Sequence, residues 1–394
     1  MKILMVISQF HPMIGGAEKQ AKLLAKKLVE KDICVDLVTG WWKFGTARKE
    51  TIDGIRIFRN FCFWRMFGIT SHRMIRMLGG VTYAISLGLY LFLRGRSYDI
   101  IHVHQFLYPA FVSVLVGKKV LEKPVLVKSA SSGFTSDIKR LGHLPLGRFQ
   151  LNFLLKEVDH LIAISKATGK DFRKIGYSES RISYIPNGVE VPVIGKNTYP
   201  RATRVITITR LSQEKGVDVL LKAWAEVVRE EKSLRLLIVG NGSLESGLKS
   251  LSCSLGIVES VDFVGAVQDV SHYLIGSDLF VLSSRSEGMS NALLEAMSYG
   301  IPCVATNVGG NTEALGGEEK EIPKGAYVFA KNGLLINPDD VKGLAEAVLF
   351  FVGNQSEREE MGKRGRTYVK EHYSIDLVAN QYIALYQRIL GRRP

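Results

Sequence analysis

The sequence predicts an α/β protein built from two doubly wound, Rossmann-like domains, and three observations lead there. At 394 residues the chain exceeds the size at which one hydrophobic core keeps growing. Short aliphatic and β-branched runs alternate with amphipathic helical stretches in both halves, the pattern of parallel sheets that bind ligands at the carboxyl ends of their strands. Apolar residues make up 46% of the composition, which excludes general disorder.

In the first half, residues 3–7 read as a buried strand and Gly15-Gly16 as a loop. Ala17, Ala21, Leu24, Ala25 and Leu28 then fall on one helix face, and residues 35–39 form the next strand. Glycine between a strand end and a helix start lets a backbone pass close to a phosphate or sugar, although Gly-Gly is also an ordinary turn. Further strands fit residues 100–103, 125–127 and 161–165. Residues 77–93 are uncharged between Arg76 and Arg94 and raise the question of a membrane span. The run is short and holds Gly79, Gly80, Thr82, Ser86 and Gly88, so the expectation is a helix packed inside an α/β domain.

The second half repeats the alternation, with strands at residues 205–209, 236–239, 261–264, 279–282 and 302–306. A helix over 217–229 turns Leu220, Leu221, Trp224 and Val228 inward. Residues 189–203 lack helical periodicity and hold two prolines, which places the join there. The expected organisation is a first domain over 1–190, a linker over 191–203, a second domain over 204–373 and a helical run over 374–394.

Charge is unevenly spread. Residues 1–195 carry 29 Lys and Arg against 14 Asp and Glu, a net +15, whereas residues 196–394 carry 23 against 24, a net −1. Such asymmetry implies an anionic partner for the first half: a membrane surface, a phosphorylated carrier or a nucleic acid. Cys34, Cys62, Cys253 and Cys303 are scattered without a CxxC pair, so neither a zinc site nor a disulfide framework is indicated and a reducing cytosol fits. The N-terminal run MKILMVISQF reads as a strand rather than a signal peptide, and a cytoplasmic protein is expected.

The most informative stretch is residues 284–313, SRSEGMSNALLEAMSYGIPCVATNVGGNTE. Ser290 is a helix N-cap candidate, and Gly300 with Pro302 is a matching stop. Glu287 then sits in a loop whose backbone N–H groups, from Gly288 through Met289 and Ser290 to Asn291, suit an anion or oriented sugar hydroxyls. Glu295, in the second helical turn, suits a ribose diol. By spacing alone two glutamates on a helix are more often a solvated face. Arg210 and Lys215, in TRLSQEKG, follow the strand over 205–209 and could neutralise a departing diphosphate, although such a pair standing alone is more often plain surface. His102 and His104, in DIIHVHQ, follow a strand and are either structural or directed at a ligand.

The run EGMSNALLEAMSYGIPCVAT resembles the E-x7-E signature of the family 4 retaining glycosyltransferases of the GT-B fold. The likeness extends over nearly the whole chain: Gly15-Gly16-Ala17-Glu18 matches the family's first-domain loop, Arg210 to Gly216 its diphosphate element, and Ile185-Pro186-Asn187-Gly188-Val189 its inter-domain junction. The resemblance implies two Rossmann-like domains facing a central cleft, with residues 374–394 returning to the first. It implies a catalytic set of Arg210, Lys215 and Glu287, and a donor set of Gly15, Gly16, Val267, Gly288, Met289, Ser290, Asn291 and Glu295. The implied donor is a UDP- or GDP-sugar, with no metal or other cofactor. The implied acceptor is a saccharide or lipid-linked saccharide, in cell-surface polysaccharide or glycoconjugate synthesis.

There are departures. Met289 stands where the family often has proline, and Thr209 where it often has glycine. The first-domain histidine of the family has no counterpart, since the chain reads KSASSGF there. Ser131 and Ser132, with His102 and His104, are the acceptor-side candidates. Competing readings are a nucleic-acid-binding protein, for which no recognition module appears, a retaining glycosidase, and a nucleotide-sugar epimerase of the same architecture. Residues 61–77 mix Trp64 and phenylalanines with Arg65, Arg73 and Arg76, which suits peripheral binding at the inner face of the plasma membrane.

Overall fold

The computed structural model describes residues 1–13, 15–63, 73–129, 131, 133, 137–142, 146–193, 204–318 and 320–391. Trp64, Arg65, Ser132 and residues 194–203 of the expected linker lie outside them. The chain divides into two compact units, one formed by Met1–Gly188 with Ile375–Pro394 and the other by Val189–Ser374.

The first unit contains β1 (Lys2–Ile7), β2 (Cys34–Gly40), β3 (Lys49–Ile52), β4 (Ile55–Asn60), β5 (Ile100–His104), β6 (Val125–Ser129), β7 (His160–Ala163) and β8 (Ile182–Tyr184). Among the described residues these form one sheet in the order β3-β4-β2-β1-β5-β6-β7-β8. Pairing is parallel except for the β3–β4 hairpin, turned at Asp53-Gly54, both at positive φ, the pair a tight two-residue hairpin prefers. Side-chain alternation splits the sheet between two layers. Ile3, Met5, Ile100, Leu126 and Ile162 pack under the helices Gly16–Glu30 and Ile375–Ile389, the latter contributing Val378, Tyr382 and Tyr386. Leu4, Val6, Val103, Val125 and Val127 face the opposite layer with Tyr83, Leu87 and Leu91. Gln20, on the Gly16–Glu30 helix, exchanges hydrogen bonds of 2.8 and 3.0 Å with the carbonyl and N–H of Gly188, fixing the chain where it leaves this unit.

Residues 77–93 are helical, within Arg73–Arg94, but the expectation of an enclosed helix is corrected. Tyr83, Leu87 and Leu91 form its buried spine, and Tyr83 Oη donates to the Ile7 carbonyl at 3.1 Å. The opposite side is exposed and apolar. Composition misled because glycine and serine positions suggested packing all round, whereas the sheet covers only one face.

The second unit contains β9 (Arg204–Ile208), β10 (Arg235–Val239), β11 (Val261–Gly265), β12 (Leu279–Leu282), β13 (Cys303–Thr306), β14 (Tyr327–Ala330) and β15 (Gly333–Ile336). The described strands run β11-β10-β9-β12-β13-β15-β14, parallel but for β14. Its core gathers around Trp224, Leu220 and Leu221 of the helix Val217–Glu230. Among the parallel strands of each sheet the order reverses once, between β1 and β5 and between β9 and β12. Doubly wound sheets bind ligands at the carboxyl ends of strands at such reversals, and the sequence motifs follow β1, β9 and β12.

Candidate active site

The segment leaving β9 runs through Arg210 and a short turn at Gln213–Lys215 into the helix Val217–Glu230. Gly216 makes the junction at φ +62°, and a Cβ there would collide with the Ser283 carbonyl. Backbone from β9 and β12 therefore approaches closely. Ser283 Oγ donates to the Lys215 carbonyl at 3.2 Å, and Lys215 Nζ donates to Glu287 Oε1 at 2.6 Å. Ser284 Oγ donates to the same carboxylate oxygen at 2.8 Å. The Lys215 and Glu287 side chains are only 16% and 9% exposed, so this is a largely dehydrated ion pair. Arg210 is not part of that bond; its side chain is 75% exposed and meets Glu214 Oε1 at 3.6 Å.

The loop beyond Glu287 leads into the helix Asn291–Ser298. Ser290 is its N-cap, as expected, its hydroxyl accepting from the Leu293 N–H at 3.3 Å. Gly288 presents its carbonyl to the Gly310 N–H at 3.0 Å, and any Cβ on Gly310 would strike that carbonyl. Met289 is buried, and Glu295 is half-buried in the second turn. Thr306 Oγ1 donates to the Ser284 carbonyl at 2.6 Å, and Asn311 Nδ2 to the Thr306 carbonyl at 3.3 Å, so the end of β13 holds the loop from beneath. Val267 lies past β11, separated from β9 by β10.

Sequence reading missed Arg285. Its guanidinium donates to both carboxylate oxygens of Asp218 at 2.9 and 2.7 Å, to Asp339 at 2.7 Å and to the Gln213 carbonyl at 2.6 Å. One side chain thus ties the Lys215 turn to the segment that carries Glu287. Its partner Asp218 is 67 positions away, beyond the reach of local pattern.

In the first unit Gly15 is the N-cap of the helix that begins at Gly16, directly after β1. Expected just after a strand, His102 and His104 instead belong to β5, and both are buried. Their rings stack at 4.3 Å, and His102 Nδ1 bonds Tyr386 Oη at 2.7 Å. Lys128 of β6, paired in register with His104, joins them on this face and lies 5.8 Å from the Tyr382 ring centroid. Burial brings Lys128 down to about 7, and burial, then the Lys128 charge, takes His102 to about 3. Burial, then His102 and Lys128, also holds His104 well below its usual value. Among the described residues His102 Nε2, His104 Nε2 and Tyr382 Oη have no hydrogen-bond partner. Ser131 donates to Asp137 Oδ1 at 2.8 Å; Ser132 lies outside the described residues.

Two family models match the chain: Glycosyltransferase Family 4 over residues 14–192 and Glycosyl transferases group 1 over residues 195–368. The chain belongs to the family 4 glycosyltransferases, and its fold is GT-B.

Among curated relatives, the N-acetyl-alpha-D-glucosaminyl L-malate synthase of Bacillus anthracis is 25% identical over 305 residues, covering 75% of this chain and 76% of that one. The GDP-mannose-dependent monoacylated alpha-(1-6)-phosphatidylinositol monomannoside mannosyltransferase of Corynebacterium glutamicum is 28% identical over 266 residues, 62% of this chain and 66% of its own. The crystal structure of Anabaena Alr3699/HepE in complex with UDP-glucose superposes with a TM-score of 0.73 at 18% identity, covering 98% of this chain and 99% of that one.

Proposed function

We propose that this glycosyltransferase moves a hexosyl group from a nucleoside-diphosphate sugar, UDP- or GDP-linked, to a saccharide or lipid-linked acceptor. The transfer retains anomeric configuration and uses no metal or other cofactor. The observation that carries this reading is the Lys215–Glu287 bond beside a capped helix N-terminus at the strand reversal of the second unit. A leaving diphosphate gains negative charge, which Lys215, the exposed Arg210 guanidinium and the loop through Gly288–Asn291 are suited to hold. Glu287, steadied by Ser284, accepts from hydroxyls of the transferred sugar, and Glu295 accepts from the ribose. Gly15 and Gly16 supply the helix N-terminus of the first unit for phosphate or sugar.

The acceptor oxygen bonds to the anomeric carbon on the face from which the diphosphate oxygen departs. The acceptor proton passes to that diphosphate oxygen, so no separate base is required.

Relatives support the substrate classes: HepE was solved with UDP-glucose, and the Corynebacterium enzyme is named for GDP-mannose and a phosphatidylinositol glycolipid. The +15 half fits an enzyme working in the cytoplasm, peripherally at the inner face of the plasma membrane, on glycolipid or cell-surface polysaccharide precursors.

The test is a thermal-shift panel of uridine, guanosine and adenosine diphosphates and their sugars, where ligand at 100 Kd contributes about 2.7 kcal/mol. Transfer with the stabilising donor is then followed by NMR of the product anomer, with and without EDTA. Stabilisation by one base, a retained anomer and activity in EDTA are expected. No stabilisation by any nucleotide and no diphosphate release would overturn the proposal.

A further inference from the structure

The helix Arg73–Arg94 shows its apolar side to solvent over most of its length. Met74, Leu78, Val81, Ile85, Leu89 and Phe92 recur every three or four residues and are 44–83% exposed. They form one stripe about 27 Å long at 1.5 Å per residue. Met77 and Leu93 widen it. Together these eight side chains make an exposed apolar face of the kind that marks an interaction site on a soluble protein. By length and composition residues 77–97 could cross a membrane. The buried spine of Tyr83, Leu87 and Leu91 instead holds the helix flat on its own sheet.

The stripe adjoins a basic cavity. Leu89 and Leu93 are shared between the exposed face and a cavity of about 610 Å³, which is also lined by Phe61, Arg48, Lys49 and Arg94. Phe61 is fixed to the helix by the Ser86 hydroxyl, which donates to its carbonyl at 2.7 Å. Arg48, Lys49 and Arg94 are exposed, and among the described residues none is ion-paired with a carboxylate. The helix itself contains no Asp or Glu. An apolar stripe beside a cationic, aromatic-walled hollow has the order of chemistry met at a bilayer surface, acyl chains next to anionic phosphates. A purely apolar partner helix would leave Arg48, Lys49 and Arg94 without a counter-charge among the described residues.

We infer that the outer face of the Arg73–Arg94 helix docks in the plane of an anionic phospholipid leaflet, and that the cavity lined by Arg48, Lys49 and Arg94 receives a lipid headgroup phosphate. This deepens the proposed function and rests on it only for the lipid-linked acceptor. The helix lies parallel to the membrane, its Ile85, Leu89 and Phe92 side chains among the acyl chains. The +15 half then faces the negative leaflet.

The test is flotation of the full chain with vesicles of phosphatidylcholine alone and of phosphatidylcholine mixed with phosphatidylglycerol. One variant carries Ile85→Ser, Leu89→Ser and Phe92→Ser; a second carries Arg48→Ala, Lys49→Ala and Arg94→Ala. All replaced side chains point outward, and an unchanged melting temperature and nucleotide-induced thermal shift confirm that each variant is folded.

The unaltered chain is expected to float with the anionic vesicles and not with phosphatidylcholine. The apolar variant should lower partitioning by about tenfold or more. The cation variant should lose the preference for phosphatidylglycerol. Equal flotation of the unaltered chain and the apolar variant would overturn the inference. So would a concentration-dependent dimer that the apolar variant dissociates, which would mark the face as a contact between copies. Vesicle binding needs neither donor nor acceptor, so its failure alongside intact nucleotide stabilisation defeats the docking surface alone. Flotation without any nucleotide effect defeats the transferase reading alone.

Discussion

Replacing Lys215 and Glu287 singly and together measures what their bond contributes to the loop that follows β12. At 2.6 Å and an effective dielectric near 20, two unit charges attract by roughly 6 kcal/mol. Most of this is offset by the water removed from side chains that remain only 16% and 9% exposed. A net coupling of about 2 kcal/mol is therefore expected, above the ~0.2–1 kcal/mol of exposed pairs. Lys215→Met should cost more, about 2–3 kcal/mol, because it takes the cation away from the Glu287 charge in a poorly hydrated loop. Glu287→Gln should cost about 1–2 kcal/mol, since the amide oxygen keeps an acceptor for Lys215 and Ser284.

The double variant should fall well short of the sum. Urea unfolding followed by tryptophan fluorescence, in which buried Trp224 carries the signal of the second unit beside Trp41, Trp42 and Trp64 of the first, reads the cycle, and repeating it at about 0.5 M salt tests screening. Coupling below about 0.5 kcal/mol, or coupling abolished by salt, would show that the pair behaves as a surface contact and does not order the loop.

Three further outcomes are expected. Arg210→Ala should leave the unfolding midpoint unchanged, because its side chain is 75% exposed, while lowering kcat by on the order of 10²; unchanged turnover would remove it from the leaving-group site. Lys128 has a folded value of about 7 against an ordinary 10.5, so between those limits the unfolded chain binds the extra proton and stability rises with pH by roughly 1 kcal/mol per unit. Lys128→Met should flatten that rise, and an identical pH dependence of melting would contradict the lowered value of the buried lysine. Gly216→Ala should destabilise the second unit by about 1–3 kcal/mol through its positive φ and the Ser283 carbonyl, as read by urea midpoint.

Much of the fold was legible because long parallel strands and amphipathic helices carry strong periodic signals. The runs at 3–7, 205–209 and 279–282 coincide with β1, β9 and β12 to within a residue or two. The Asp53-Gly54 hairpin and the β14–β15 pair were missed: each joins a four-residue edge strand, β3 or β14, to an inner neighbour, and strands that short carry little periodic signal. At the site, Ser290 was readable as a cap because capping is local chemistry. That Lys215 meets Glu287 across 72 positions, and that Arg285 braces both segments, depends on which strands lie adjacent; no window of sequence contains it. Lys128 escaped notice since a lysine after three aliphatic residues looks like a strand end, whereas β6 continues through it.

The passage of the chain out of the first unit at Gly188 and back at Ile375 has a consequence for biogenesis. A ribosome that has released 188 residues has produced a sheet with one layer incomplete: Ile3, Met5, Ile100, Leu126 and Ile162 await Val378, Tyr382 and Tyr386. The bond from His102 to Tyr386 spans 284 positions, so it forms only after the entire second unit has been synthesised. During that interval an apolar β surface stands open while the second unit, continuous in sequence, can already fold. Nascent chains stalled before residue 375 should therefore be the ones captured by chaperones, and release of the last helix is the step that ends that exposure.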